Sequence, residues 1–297
     1  MQLVHAPLSE FTAGFMRDRI AVAALAALAA ILLAAILAPL VTPQNPYNLA
    51  QLDILDSKLA PGMKAGAGFT FWLGSDEQGR DMYSAILYGL RISLGVGALS
   101  TGVALAIGMA VGLVSAYAGG WLDNLIMRLV DLQLSFPAIL IALVLLAVLG
   151  QGVDKIVIAL ITVQWAYYAR TVRGAALAER RKEYVDAARV MAFSSARIVF
   201  RHILPNVLPP LIVVATVQVA HAIALEATLS FLGLGMPITS PSLGLLISNG
   251  FAHVLSGRYW ISFFPGVALL VTIVAINLVG DRLRDVLNPR LASHYGA

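Results

Sequence analysis

Long intervals without Lys, Arg, Asp or Glu constrain this sequence more than any other feature. They include residues 20–52, 92–122, 202–225 and 259–280. A helix that crosses the ~30 Å hydrocarbon core of a bilayer needs about 20 mostly apolar residues, so each interval is long enough to span a membrane. Hydrophobic residues make up 59% of the chain and charged residues 12%, which excludes a water-soluble surface around an ordinary core. The sequence therefore predicts an all-α membrane protein.

Six transmembrane helices are predicted from these intervals and from the residues that interrupt them. The first ends before Pro43, and its apolar run exceeds the roughly 7–15 residues of a cleaved signal peptide, which favours an uncleaved anchor. The third contains Pro137, interpreted as a tolerated kink or a hinge. The fourth contains Arg170 and Arg173, which either contact a substrate or extend to the membrane interface. The predicted spans cover about 20–42, 92–118, 127–149, 154–175, 206–232 and 259–280.

The distribution of Lys and Arg predicts the orientation of these spans. With the N-terminus in the cytoplasm, 14 of these side chains fall inside and 6 outside, so both termini of a multi-pass inner-membrane protein are expected in the cytoplasm. The chain then consists of a cytoplasmic N-terminus, a first span, an extracytoplasmic segment, a core of about five helices and a tail. These divisions are 1–19, 20–42, 43–90, 91–291 and 292–297, with a basic cytoplasmic loop at 176–205.

The cytoplasmic loop is predicted to fold into two short helices. Helical spacing puts Glu183, Asp186 and Val190 on one face of the first helix. Ser194 is a suitable N-cap for the second helix, which Pro205 is predicted to end. Phe193 and Ile198 have the spacing of a hydrophobic staple across that cap. Such helices have apolar faces too small to form a core, so a partner is expected to cover them. The other face of the first helix carries Tyr184, Ala187, Ala188 and Met191.

This loop resembles the EAA loop of ABC importer permeases. The resemblance rests on Asp186-Ala187-Ala188, on Ala192, and on Ile203-Leu204-Pro205-Asn206. It implies a type I ABC importer permease fold whose cytoplasmic coupling helix sits in a groove of an ATPase subunit. Asp186 stands where the family usually has Glu, and Ala192 where it usually has Gly; a left-handed Ala costs about 1–2 kcal/mol. The implied coupling residues are Glu183, Tyr184, Asp186, Ala187, Ala188, Met191, Ala192, Phe193 and Ser194.

A second set of motifs is similar to the dipeptide/oligopeptide/nickel permease group of that family. It comprises the run from Trp72 to Asp81, residues 230–235, and the C-terminal residues 280–285 with 288–290, so the resemblance covers about 15–291. In the first run, Ser75 and Gln78 have the spacing of a capping box. The resemblance implies that an extracytoplasmic binding protein docks on 43–90 and 233–258. The candidate docking residues are Asp76, Glu77, Arg80 and Asp81.

Few other residues are candidates for chemistry. Glu226 lies within a predicted span, where a carboxylate either lines a pathway or pairs helices. His221 is too far along the helix to share the face of Glu226, and it is expected to form an inter-helix hydrogen bond or to line the pathway. No metal site is predicted, because His221 lacks partners at ligand spacing. The basic run 180–182 is expected to bind either a nucleotide or anionic lipid. The pair Gly108 and Gly112 is typical of close helix packing.

Two classes of function remain open. A transport subunit would carry dipeptides or oligopeptides, or alternatively a nickel chelate or a glutathione-like peptide. It would work with a second homologous permease, two ABC ATPase subunits that bind ATP-Mg, and a binding protein. A transport subunit of this kind needs no cofactor and no catalytic residue, and it binds no nucleic acid. The sequence also lacks a phosphate-binding loop, so ATP is expected to bind the partner subunits. A membrane enzyme, channel or secondary transporter would need a clustered nucleophile and base, metal ligands or paired intramembrane charges.

Overall fold

The first helix follows directly from its sequence. In the computed structural model, which describes residue 12 and residues 14–287, α1 covers Arg19–Val41. Asp18 caps it, because its Oδ1 accepts hydrogen bonds from the backbone N–H groups of Ile20 and Ala21 at 2.9 and 3.3 Å. Residues 1–11, residue 13, the motif at 288–290 and the predicted tail 292–297 lie outside the described residues.

The segment after α1 contains short 3₁₀ turns at Leu49–Gln51 and Ile54–Asp56, then strands β1 (Met63–Lys64) and β2 (Thr70–Phe71). The strands pair antiparallel, with Met63 opposite Phe71. They form the end of a compact outer segment that continues to residue 81 and precedes the second long helix.

The predicted capping box at Ser75 is wrong. The Ser75 hydroxyl accepts a hydrogen bond from Leu59 N–H at 2.8 Å and donates one to the Asp56 carbonyl at 2.5 Å. Residues 76–80 form a turn instead of a helix, because the Asp76 Oδ1 accepts the N–H groups of residues 78 and 80. The helix begins later, and its cap is Asp81, whose Oδ2 accepts the Ser84 N–H at 2.8 Å.

Two long helices form the centre of the molecule. They are α2 (Met82–Ala118) and α5 (Val153–Arg180). They approach closely at Gly108, where an added Cβ would lie 2.4 Å from the Tyr168 Cβ and 2.5 Å from the Trp165 carbonyl oxygen. A Cβ at Gly112 would lie 2.6 Å from the Ala169 oxygen. The predicted packing role of this glycine pair is confirmed.

The third predicted span is broken into two helices. They are α3 (Gly120–Ser135) and α4 (Ala138–Leu149), and they meet at an angle of 88°. Phe136 is extended (φ −96°, ψ 142°), as expected for a residue that precedes Pro137. The interpretation of Pro137 as a tolerated kink is therefore wrong, because the proline ends one helix and begins another.

The remaining helices are α6 (Glu183–Val190), α7 (Ser195–Phe231), α8 (Leu243–Phe251) and α9 (Trp260–Leu287), with a 3₁₀ turn at Val254–Ser256.

The predicted helix end at Pro205 is wrong. A π-type turn over Ile198–Ile203 precedes the proline, and Leu204 N–H donates to the Val199 carbonyl, five residues back. This widened turn accommodates the proline, which has no N–H, and the helix continues to Phe231.

Among the described residues, α1, α2, α7 and α9 are long and apolar enough to cross a membrane, and the bent pair α3–α4 brings the number to five. The directions of the helices bring residues 14–18, 183–203 and 281–287 to one end of the molecule. Residues 43–81 and 232–259 lie at the opposite end. At the first end, Arg180 Nη1 donates to the carbonyls of Ala116 and Tyr117 at 2.7 and 3.1 Å and so caps α2.

Candidate functional site

Helix α6 is anchored to the long helices by its buried face. Val185 is fully buried and Ala188 is 3% exposed. The small Ala188 side chain lets α6 lie close to its neighbours, so burial of a few aliphatic groups fixes the helix. These two side chains belong to one buried apolar cluster that also contains residues of α2, α5 and α7. The residues from those helices are Leu113, Ala116, Val172, Ala176, Ile198, Ile203, Val207 and Leu211.

Tyr184 joins the start of α6 to both flanking helices. Its hydroxyl donates to Glu179 Oε2 at 2.6 Å and accepts a hydrogen bond from Asn206 Nδ2 at 3.3 Å, while its ring stacks on His202. Burial and the hydrogen bond to Glu179 raise the pKa of the Tyr184 hydroxyl, so it remains a donor at neutral pH. Tyr184 is therefore an anchor of the helix and only partly accessible to a partner.

Ala192 adopts the left-handed conformation, with φ of 56°. This conformation is the one expected at a position where the family usually has Gly. Its N–H donates to the Arg189 carbonyl at 2.9 Å, and the Phe193 N–H donates to the Ala188 carbonyl at 3.1 Å. These two bonds form a Schellman motif, in which Gly is the usual residue at this position. Ser194 then caps α7, since its Oγ accepts the Arg197 N–H at 3.4 Å.

The opposite face of α6 is accessible. Asp186 has a side chain that is 62% exposed and pairs with Arg189 at 2.8 Å. Val190 and Met191 are 88% and 66% exposed. A cleft of about 460 Å³ lies beside this face, lined by Leu177, Arg180, Arg181, Asp186 and Arg189.

The predicted coupling set thus separates into two groups. Tyr184, Ala188 and Phe193 face the long helices, whereas the other members are exposed; these are Glu183, Asp186, Ala187, Met191, Ala192 and Ser194. The anchor Val185 was not predicted, although its position three residues before Ala188 indicates a shared face. Phe200, which lies within the π-type turn and is 65% exposed, was not predicted either.

Three of the four predicted docking residues in the outer segment are buried. Asp76 and Arg80 are 1% exposed and Asp81 is fully buried. Arg80 Nη2 donates to the Ile238 carbonyl at 2.7 Å, and its Nη1 lies 3.6 Å from Asp76 Oδ2. Burial raises the pKa of the Asp76 carboxyl and the Arg80 charge opposes that rise. Arg80 thus joins 43–81 to 232–259, Asp76 pairs with Arg80, and Asp81 caps α2. The expectation that all four residues form a docking surface is therefore wrong for these three.

Glu77 is the accessible member of that set. Its side chain is 38% exposed, contacts His253 Nε2, and lies 3.4 Å from Lys58 Nζ. The hydrogen bond from His253, followed by that from Lys58, lowers the pKa of the Glu77 carboxyl. Glu77 therefore carries a negative charge on the outer surface at neutral pH.

Glu226 lies between helices and is fully buried. Its carboxylate accepts hydrogen bonds from Ser93 on α2 and Ser230 on α7, both at 2.8 Å, and interacts with Ser242 before α8. His221 is exposed and takes no part in this cluster. No group of three or more His, Asp or Glu side chains suited to a metal occurs in the described part of the chain.

Two family models match the chain. Residues 102–293 match the family model described as binding-protein-dependent transport system inner membrane component. The chain belongs to this family. Its residues 7–61 also match the model for the N-terminal TM domain of oligopeptide transport permease C. The resemblance seen in the loop and outer-segment motifs is confirmed.

Relatives of this permease cover almost the whole chain. The dipeptide transport system permease protein DppC of Alkalihalophilus pseudofirmus is 35% identical over 282 residues, which is 93% of this chain and 88% of the relative. DppC of Haemophilus influenzae is 36% identical, and the alignment covers 96% of this chain and 95% of that relative. The glutathione transport system permease protein GsiD of Pectobacterium atrosepticum is 35% identical, covering 98% and 93%.

The fold of this permease is also that of a solved transporter. A chain from the inward facing structure of the MetNI methionine ABC transporter superimposes with a TM-score of 0.57 at 22% identity. The match covers 68% of this permease and 96% of that chain. The mostly helical permease fold predicted from the sequence is thereby confirmed.

Proposed function

We propose that this permease forms the membrane pathway of an ATP-driven importer for dipeptides and oligopeptides, together with a second homologous permease. The observation that carries the proposal is helix α6, whose Val185 and Ala188 are anchored on α2, α5 and α7 while Asp186, Val190 and Met191 remain exposed. A helix of this kind transmits force from its exposed face to the long helices behind it. The relatives named as dipeptide permeases support the peptide cargo.

In this mechanism α6 is the coupling helix. Two ABC ATPase subunits, which bind ATP-Mg, hold the exposed faces of α6 in this permease and its partner. When the ATPases close, they push α6, and the Val185–Ala188 anchor passes the movement to α2, α5 and α7. The chain itself catalyses no reaction. The polypeptide would cross the inner membrane six times, with α3–α4 and α5 as the third and fourth crossings and both termini in the cytoplasm.

The binding protein delivers the cargo at the other end of the molecule. Residues 43–81 and 232–259 form that end, and Glu77 gives it an accessible negative charge. The buried Arg80 connects the two segments through the Ile238 carbonyl, so both would move as one surface when the binding protein docks. Glutathione-like peptide is the alternative cargo, favoured by the similarity to GsiD; a nickel chelate is a further alternative that rests on the resemblance to the wider group.

Reconstitution tests the proposal. The permease pair, the two ATPases and the binding protein are incorporated into liposomes, and ATP-dependent uptake of a labelled dipeptide is compared with uptake of glutathione. We expect dipeptide uptake that requires every component and is lost in Asp186→Lys, while membrane insertion of that variant is normal. Arg17→Lys, an exposed and charge-conserving change before α1, is the control and should transport normally. Uptake by this chain alone, without ATPases, would overturn the proposal.

A further inference from the structure

Helix α5 leaves one narrow stripe of its surface uncovered in its cytoplasmic half. The exposed residues there are Tyr167, Arg170, Gly174 and Ala178, at the spacing of three and four residues that marks a single helix face. Between them lie Tyr168, Ala169, Val172 and Ala176, all buried against neighbouring helices. Tyr167 is at the middle of this 28-residue helix. With α5 as the fourth crossing of the proposed function, the stripe would begin deep within the membrane.

The stripe carries an exposed ion pair. Arg170 Nη2 contacts Asp131 Oδ1 of α3, and the two side chains are 51% and 65% exposed. A second pair joins the same helices, since Arg173 donates both Nε and Nη2 to Asp123 at 2.6 Å. That pair is more shielded, with side chains 31% and 13% exposed. Both arginines therefore turn to acids on α3.

Lipid is an unsuitable neighbour for this stripe. An ion pair with half of its surface facing hydrocarbon would lose hydration without the hydrogen bonds that compensate a buried pair. Among the described helices, α5 is not one of those long and apolar enough to cross a membrane by composition alone. The most apolar of those is α1, which exposes Leu33 and Ile36. The stripe is therefore suited to water or to a polar ligand.

We infer that this stripe lines the translocation pathway and that Asp131 and Arg170 receive the charged termini of a peptide; the inference rests on the proposed function. The Arg170 guanidinium offers paired donors that match a carboxylate, and Asp131 accepts hydrogen bonds from an ammonium group. In the empty pathway the two side chains neutralise each other. When a zwitterionic peptide enters, each side chain exchanges its partner for a peptide terminus, and the total charge of the site stays zero.

Cysteine labelling tests this assignment, because the chain contains no cysteine. Tyr167→Cys and, as a lipid-facing control in the middle of α1, Leu33→Cys are prepared in the complete complex with cysteine-free partners. Both are treated with a charged thiol reagent in inside-out vesicles. Labelling of Tyr167→Cys is then repeated with a free dipeptide, with its N-acetylated form and with its C-amidated form, each at millimolar concentration. The series is repeated in Tyr167→Cys variants that also carry Asp131→Asn or Arg170→Gln. The matched control carries Asp123→Asn, which removes the acid of the second ion pair.

We expect Tyr167→Cys to react at least tenfold faster than Leu33→Cys and to be protected by the free dipeptide several-fold more than by either blocked form. Asp131→Asn should remove the difference between the free and N-acetylated peptides, and Arg170→Gln the difference between the free and amidated peptides. Asp123→Asn should keep both differences. Equal labelling at positions 167 and 33, or equal protection by free and blocked peptides, in a complex that still imports dipeptide would overturn this inference alone. A wild-type complex without ATP-dependent uptake would overturn the proposed function instead.

Discussion

The Glu226 carboxylate accepts a hydrogen bond from the Ser93 hydroxyl at 2.8 Å and so joins α7 to α2 across 133 positions of sequence. Ser230 donates to the other carboxylate oxygen. The adjacent helix α8 is packed tightly onto α7, since a Cβ at Gly244 would lie 2.3 Å from the Ala227 carbonyl oxygen. The carboxylate thus lies where three helices meet, and hydroxyl donors satisfy it within protein.

Loss of one of these donors should destabilise the permease. Ser93→Ala removes a hydrogen bond to a buried carboxylate, which is worth about 1–3 kcal/mol. We expect the midpoint of thermal unfolding in detergent to fall by several degrees. The control is Thr228→Ala on α7, whose exposed hydroxyl bonds only to the Ala224 carbonyl of its own helix and whose loss should cost under about 0.5 kcal/mol. Equal midpoints for the two variants would contradict the structural role assigned to Glu226.

Glycine at position 192 should stabilise the turn after α6. Ala192 has a φ of 56°, which costs an L-residue about 1–2 kcal/mol, and Gly avoids that cost at the expense of a more flexible unfolded chain. Ala192→Gly is therefore expected to slow amide exchange of residues 187–193 by a factor of about 2–5. Ala187→Gly is the matched control, because Gly within a helix loses about 1 kcal/mol relative to Ala and should speed the same exchange. Faster exchange in Ala192→Gly would show that the left-handed turn is unstrained.

Adjacent alanines on α6 should respond differently to a large side chain. Ala188 is 3% exposed within the buried cluster that α6 shares with α2, α5 and α7, so Ala188→Trp overfills the cluster and should lower the yield and thermal stability of folded permease. Ala187 is exposed, and Ala187→Trp should leave stability unchanged. With the ATPases present, however, Ala187→Trp should reduce the amount that co-purifies by tenfold or more. An Ala187→Trp permease that binds ATPases normally would show that this face is not the contact.

The Glu77 contacts predict a pH dependence for the outer segment. Hydrogen bonds from His253 and Lys58 lower the pKa of Glu77 below its ordinary value of 4.5. A depressed carboxyl pKa stabilises the folded state above the unfolded pKa, and this contribution is lost as pH falls through the folded value. The unfolding midpoint of Glu77→Gln should therefore lie below that of the wild type at pH 7. The difference should shrink in acid below pH 4.5, where Glu77 becomes protonated beside Asp76, His253 and Lys58.

The long apolar intervals were sufficient to predict most of the helices, because lipid requires each span to satisfy its own backbone hydrogen bonds. The cap at Ser194, the left-handed residue at 192 and the contacts of Gly108 and Gly112 were also predictable. Each depends on residues close in sequence or on a local shape that only certain side chains permit. The family followed from the loop motifs for the same reason.

Features that depend on distant partners were not predictable. Ser75 and Asp81 are both residue types that commonly cap a helix N-terminus. Only the hydrogen bonds of Ser75 with residues 56 and 59 show that Asp81 is the cap. Pro137 is compatible with a kink or a break, and the packing of α3 and α4 on α5 selects the break. The burial of Asp76 and Arg80 likewise depends on Ile238, more than 150 positions away.

The accessibility of Val190 tests the central claim most directly. Val190→Cys is an exposed site in a cysteine-free chain, and its reaction with a charged thiol reagent can be followed in the permease pair alone and in the complex with ATPases. We expect rapid labelling in the pair and at least tenfold slower labelling in the complex, both without nucleotide and with ATP trapped, because the coupling helix stays in its groove throughout the cycle. Equal labelling rates with and without ATPases, in a complex that hydrolyses ATP and imports peptide, would contradict the account.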